Sequence, residues 1–266
     1  MRDQTVVFFG NRDLGLRVLQ HLISVDDIPR AIVLHPRGTS PWANKLWELA
    51  GSVDSVVLPA DELKSDTAMA TLKSVGPSIG VSAYFGHILS AKMLALFPRG
   101  ILNFHGSFLP WNRGRDPNAW SIYEGAPAGG TIHLMDEGVD TGPILLQREV
   151  VVTPDMDAAA LYHRTVEALV SLFEEHWPLL RNGQIRARDQ CGEGSTHRRH
   201  EFERLRQLDL SKEMPLHKAI KLLRACCMDE TTAAEFVEDG IRYSVRVSVT
   251  ALARESLEED IREQHK

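Results

Sequence analysis

The sequence is poor in cysteine, has no long apolar run and carries no excess of positive charge, and each scarcity removes a class of protein. Its three cysteines, Cys191, Cys226 and Cys227, are too few for a disulfide framework. Two of them are sequence neighbours that pair only with strain, so a reducing compartment, the cytoplasm, is expected. No stretch approaches the ~18 uninterrupted apolar residues of a membrane helix, and no membrane partner is expected. Lys and Arg number 30 against 36 Asp and Glu, a formal charge of −6. That balance argues against holding nucleic acid by phosphate neutralisation over the whole surface, so any anion site must be local. What is present is 266 residues, 43% hydrophobic and 25% charged, enough for one large domain and a small appendage.

Short β-rich runs alternate with helical patterns through the first half: TVVFFG at 5–10, AIVLH at 31–35, SVVLP at 55–59 and SIGVSAY at 78–84. Such alternation predicts an α/β fold with a Rossmann-like, mostly parallel sheet. Further strands are expected over Ile101–Phe104, Gly130–Met135 and Ile144–Val152, and a long helix over 157–180 that Pro178 ends or bends. After about residue 190 the chain turns Gly-containing and basic. A helix over Asp209–Arg224 and a hairpin turning at Asp239-Gly240 predict a small C-terminal α+β appendage. The domains are therefore expected at 1–190 and 191–266, with the charged end, RESLEEDIREQHK, frayed.

Gly, Pro and aromatic residues concentrate between 85 and 150, which marks the working end. On a strand, Asn103 and His105 point to one face, presenting an amide and an imidazole side by side. In open α/β sheets ligands bind outside the carboxyl ends of the strands. A carboxylate on a nearby loop, such as Asp140, would fix the imidazole tautomer. Amide, imidazole and carboxylate together make a proton-handling oxyanion site without a nucleophilic side chain. Taken singly, each of the three residues is more often structural.

Asn103-x-His105, Ser107-x-Leu109-Pro110, Gly114, Thr131-Ile132-His133 and Asp136-Glu137-Gly138-Val139-Asp140-Thr141-Gly142 resemble the folate-dependent formyltransferase family. The resemblance spans most of residues 5–180. The run from Pro110 through Trp111, Asn112, Arg113, Gly114 and Pro117 to Asn118 and Trp120 is most similar to enzymes that N-formylate nucleotide-linked amino sugars. The resemblance implies transfer of a formyl group from 10-formyltetrahydrofolate to a primary amine, without a metal. Asn103 and His105 would stabilise the formyl oxygen, and Asp140 would hold His105 and carry the proton lost by the amine. The pterin would enter between Ser82, Tyr84, Phe85, Gly86, Ile88 and Leu89 on one side and Asp136, Gly138 and Asp140 on the other, although Ile88, Leu89 and Met93 also suit plain core. Asn11, Arg12, Trp111, Asn112, Arg113, Asn118, Arg198 and Arg199 are candidates for the nucleotide sugar, expected to be a 4-amino-4,6-dideoxyhexose for surface polysaccharide. Trp111 or Trp120 would stack on its base or sugar, or else anchor a loop. The basic run HRRHEFERLR also reads as an exposed helix, and that reading is preferred for Arg204 and Arg206. Family habit and the exposed edge of the hairpin allow a homodimer.

Three rivals differ in kind. A dinucleotide-binding enzyme is disfavoured because Gly10 and Gly15 lack the middle glycine of the fingerprint. A methionyl-tRNA formyltransferase remains open because residues 181–206 hold seven Arg against four acids. A noncatalytic sugar-nucleotide binding module has no need of an oxyanion donor set.

Overall fold

The computed structural model describes residues 4–252, so the charged end expected to fray lies outside the described residues. Strand β1 (Val6–Gly10) is buried throughout. Val6 and Phe8 enter one core cluster while Val7 and Phe9 enter another, the two-sided burial of a central parallel strand. It is followed by α1 (Arg12–Ser24), β2 (Ala31–Leu34), α2 (Pro41–Ala50), β3 (Val56–Pro59), α3 (Asp66–Val75), β4 (Ile79–Ala83), α4 (Ala91–Leu94) and β5 (Ile101–His105). Ser40, Ser65 and Ser90 cap α2, α3 and α4 by accepting a first-turn backbone N–H, which supplies a partner the helix itself lacks.

The second half runs β6 (Arg113–Gly114), α5 (Pro117–Glu124), β7 (Gly129–Leu134), β8 (Ile144–Glu149), α6 (Ala158–Arg181), β9 (Thr196–His197), α7 (Arg199–Arg206), α8 (Leu216–Cys226), β10 (Ala234–Glu238) and β11 (Ile241–Val245). The main sheet has the order β3-β2-β1-β4-β5-β7-β8. Its first five strands are parallel, and β7 and β8 are antiparallel additions. The order reverses between β1 and β4, the point at which open α/β sheets leave a crevice. Leu102 and Phe104 of β5 face inward with Val166, Leu169 and Phe173 of α6. Ile101, Asn103 and His105 therefore share the opposite face.

Three sequence expectations shift. Pro178 does not end α6, which continues to Arg181; in the last turn a missing N–H removes one hydrogen bond without stopping the helix. The helix expected from Asp209 begins only at Leu216, behind Pro215. The basic run before it forms α7, where Arg206, expected to be exposed, pairs with Glu203 at 3.2 Å and with Glu235. The Asp239-Gly240 turn forms as expected, both residues having positive φ. Cys226 and Cys227 are buried and act as small apolar packing groups.

Candidate active site

Ser82 on β4, Asn103 on β5 and His133 on β7 are register partners across three adjacent strands, so one polar row crosses the sheet on a single face. Ser82 Oγ donates to Asn103 Oδ1 at 3.2 Å. The Asn103 Nδ2 group lies 3.0 Å from His133 Nε2 and donates to Asp140 Oδ1 at 3.1 Å. His105, at the end of β5, turns Nε2 to the Asn112 carbonyl at 2.9 Å and Nδ1 to Asp140 Oδ2 at 3.4 Å. A carbonyl only accepts, so Nε2 carries a proton and Nδ1 is the nitrogen that faces the acid. The amide, the imidazole and the carboxylate expected to converge do so.

Asp140 arrives on the 135–143 loop with φ 53°, a left-handed conformation that a residue with a Cβ adopts rarely. Two glycines let this loop and its neighbour close. A Cβ on Gly142 would lie 1.8 Å from the Leu134 carbonyl oxygen, and one on Gly114, at φ 89°, 2.3 Å from that of His197. Gly114 N–H donates to Asp140 Oδ2 at 2.9 Å. Burial alone would push the Asp140 pKa up; the His105 charge, the hydrogen bond and charge of His133 and the Gly114 N–H outweigh it and hold the carboxyl well below the usual range. His133, 3.5 Å from Asp140 Oδ1 and only 1% exposed, is a site residue that sequence reasoning passed over. The available signal was a histidine two residues after Thr131 in an otherwise apolar strand.

The remaining candidates separate into groups. Phe85 and Leu89 lie in the core with Met93 and Met135, whereas Ile88 is 87% exposed. Gly86, Asp136 and Gly138 are exposed and Tyr84 is half-buried. Asp136 Oδ1 accepts from the Gly138 N–H and the Thr141 hydroxyl within its own loop. Asn112 and Asn118 turn inward. The Asn112 amide joins Ser121 and Ser195 at 2.8 and 2.9 Å, and Asn118 Oδ1 accepts from Thr165. Asn11 caps α1 by accepting the Arg12 N–H, and Trp111 is half-buried. Trp120 is buried with its face stacked on His197, centroids 4.0 Å apart, so it anchors the loop and offers no free face for a base. Arg113 binds Gln190 Oε1 through Nε and one Nη. Arg12, Arg198 and Arg199 are exposed, and Arg115, Arg12 and Arg199 all bear electrostatically on Asp116. Burial raises the Asp116 carboxyl, and those three guanidiniums only partly offset it.

The sequence profile of the family described as formyl transferase matches residues 26–176, more than half of the sequence. The chain belongs to the formyl transferase family. A second profile, for an N-formyltransferase dimerization C-terminal domain, matches residues 201–251. A methionyl-tRNA formyltransferase of Desulfotalea psychrophila is 34% identical over 194 residues, covering 70% of this chain and 59% of that protein. The chain spans 59–64% of the length of four methionyl-tRNA formyltransferases that it matches. A sugar N-formyltransferase from Shewanella shares the fold, with TM-score 0.81, 22% identity and coverage of 94% of this chain and 99% of that one. A formyltransferase from Anoxybacillus kamchatkensis, solved with UDP-4,6-dideoxy-4-formamido-L-AltNAc and tetrahydrofolate, is 30% identical with TM-score 0.57, covering 82% of this chain and 98% of that one.

Proposed function

We propose that the chain transfers the formyl group of 10-formyltetrahydrofolate to the amine of a nucleotide-linked amino-dideoxy sugar, with the 4-amino-4,6-dideoxyhexoses favoured. The observation that carries the reading is the convergence of Asn103, His105 and Asp140 on the β5 face, within a fold and family built for formyl transfer. The amine attacks the formyl carbon and charge develops on the formyl oxygen. Asn103 is the donor for that oxygen, releasing the amide hydrogen now directed at Asp140. A preorganised donor of this kind is worth about 3–4 kcal/mol in the transition state. Asp140, ionised and 3.4 Å from His105, holds the imidazole and helps carry away the proton that the amine loses, which ends in solvent. Asn103 and His105 also explain why a binding module is the weaker reading, since recognition alone does not call for them.

Two segments fit the folate. Phe85, Leu89 and Met135 share one core cluster, so the 84–89 and 135–140 segments rise from the same floor. Exposed Ile88 and half-exposed Val139 offer apolar surface beside their backbones. Across the crevice between β1 and β4, Arg12, Arg115 and Arg199 supply the positive charge that a diphosphate requires. The Anoxybacillus relative, with a sugar nucleotide and tetrahydrofolate bound, supports the same pairing of ligands. The catalytic and appended parts correspond to about 1–190 and 191–266, and the appended hairpin, with exposed Val237, Ile241 and Tyr243, forms a homodimer contact in keeping with the family profile matched there. Sedimentation at the monomer mass would remove that last element.

Methionyl-tRNA is the second reading because curated relatives at 30–34% identity carry that activity. Against it, Arg181, Arg188 and Arg206 of the basic stretch are bound to Asp27, Gln147 and Glu235. The test incubates the protein with 10-formyltetrahydrofolate and either methionyl-tRNA or thymidine-, uridine- and guanosine-diphosphate amino sugars. The expected result is the mass gain of one CO on a 4-amino sugar nucleotide. Formylation of the tRNA alone would replace this reading with the second, and binding without turnover would revive the module.

A further inference from the structure

Residues 112, 113 and 114 each hold one part of the site. The Asn112 carbonyl accepts from His105 Nε2, and Gly114 N–H donates to Asp140 Oδ2. Arg113 acts at one remove. Its Nε and Nη2 donate to Gln190 Oε1 at 2.9 and 2.8 Å, while Gln190 Nε2 donates to the carbonyls of Asp140 and Gly142 at 2.7 and 2.9 Å. Every donor hydrogen of that carboxamide is engaged, and its oxygen accepts twice. Gln190 lies in a stretch, 177–200, that neither family profile matches. That stretch also receives the 112–115 loop: Asn112 N–H donates to Ser195 Oγ, Arg113 N–H to the Ser195 carbonyl and Arg115 N–H to the His197 carbonyl, at 2.9, 2.9 and 3.0 Å.

We infer that Gln190 is a positioning residue for formyl transfer, clamping the left-handed peptide of Asp140 to Arg113 so that the carboxylate stays opposite His105. The inference rests on the reaction proposed above. Gln190 touches neither reacting atom: its two hydrogens end on backbone carbonyls, so it governs where the acid sits. The same geometry gives two of the five Arg113 guanidinium hydrogens to Gln190 and fixes the direction of the rest.

The test uses the full chain carrying Gln190→Ala or Gln190→Glu. Glutamate keeps the size and the contact with Arg113 but has no hydrogen to give the two carbonyls, so both variants are expected to lower kcat about tenfold or more, since small misplacements of catalytic groups carry large costs. KM for the amine and for the folate should remain near wild type, the pattern of an interaction that matters only in the transition state. Hydrogen exchange at the Gly114 amide, which reports directly on the Asp140 carboxylate, should accelerate in both variants while melting temperature is kept. Arg113→Lys, which keeps the charge but loses the paired contact, should shift kcat and exchange in the same direction by less, and serves if the Gln190 variants fold poorly. Wild-type kcat in Gln190→Glu, a raised KM for the amine with kcat intact, or unchanged Gly114 exchange would each overturn the clamp. Should the wild type formylate nothing, the reaction reading fails, and the Gly114 exchange still decides whether the clamp exists.

Discussion

The two ends of the main sheet both carry polar networks, and they are built to opposite purposes. At the amino end, Arg99 donates to Gln4 and to the Leu180 and Arg181 carbonyls that close α6. Asp27 accepts from Trp177 Nε1 at 2.8 Å and pairs with Arg181. Arg99 and Arg181 each have an anion or a carbonyl, and the network ties the last turn of α6 to the start of β1. Cavities of about 330 and 200 Å³ flank it, lined in part by Asp27, Arg99 and Arg181. At the carboxyl end, one carboxylate serves two imidazoles and an amide, and Tyr84, Asn112, Asp116, Asp140 and Arg12 all hold left-handed backbones. Strain of this kind persists where the surroundings over-determine it, and it gathers at functional sites. The contrast teaches that a network tying a helix end to a strand is architecture, whereas titratable groups gathered on one buried carboxylate at the mouth of the sheet are equipped for chemistry.

The contrast breaks most sharply at His105. His105→Ala is expected to lower turnover by about 10²–10³, the cost of losing one oriented electrostatic partner, while binding of both substrates changes little and the melting temperature falls, because the buried Asp140 loses a partner; product mass spectrometry and calorimetry read the two sides. Asp27→Ala should cost stability alone. It leaves Arg181 and Trp177 without their acceptor, costing about 3 kcal/mol of stability, at the low end for broken buried pairs because Arg181 is partly exposed, with kcat unchanged at 25 °C. Equal loss of turnover in both variants would erase the distinction between the ends.

A smaller effect sharpens the picture of the acid. Because the folded Asp140 carboxyl is held below its ordinary value, its charged form contributes stability that is fully present above about pH 4 and drains away as pH falls toward the folded value. Urea unfolding of the wild type and Asp140→Asn should therefore differ most near pH 6 and converge toward pH 3. A gap that stays constant across this range would mean the carboxylate charge is not what binds the loop.

The sequence carried the sheet, the switch-point crevice and the pairing of Asn103 with His105, because period-two alternation and strand–helix order are local properties. Asp140 was reachable through the resemblance, since nothing local says where a loop 35 residues further on will fold. His133 was not singled out, although its motif was quoted, because its neighbours Ser82 and Asn103 become neighbours only through strand register. Asn112 and Asn118 look like binding residues in a linear reading; tertiary hydrogen bonds to Ser121 and Thr165 hold them inside the protein, and the contact of Arg113 with Gln190 is equally invisible there. Gln190 was invisible for the same reason, acting on residues 48 and 50 positions away.

The row formed by Ser82, Asn103 and His133 has its spacing set by the inter-strand repeat of about 4.8 Å, not by any loop. A single inserted residue in β7 would carry His133 to the far layer, among the apolar side chains beneath α6. Length changes in a strand thus dismantle the polar row, whereas the connections can lengthen and leave the ladder unshifted.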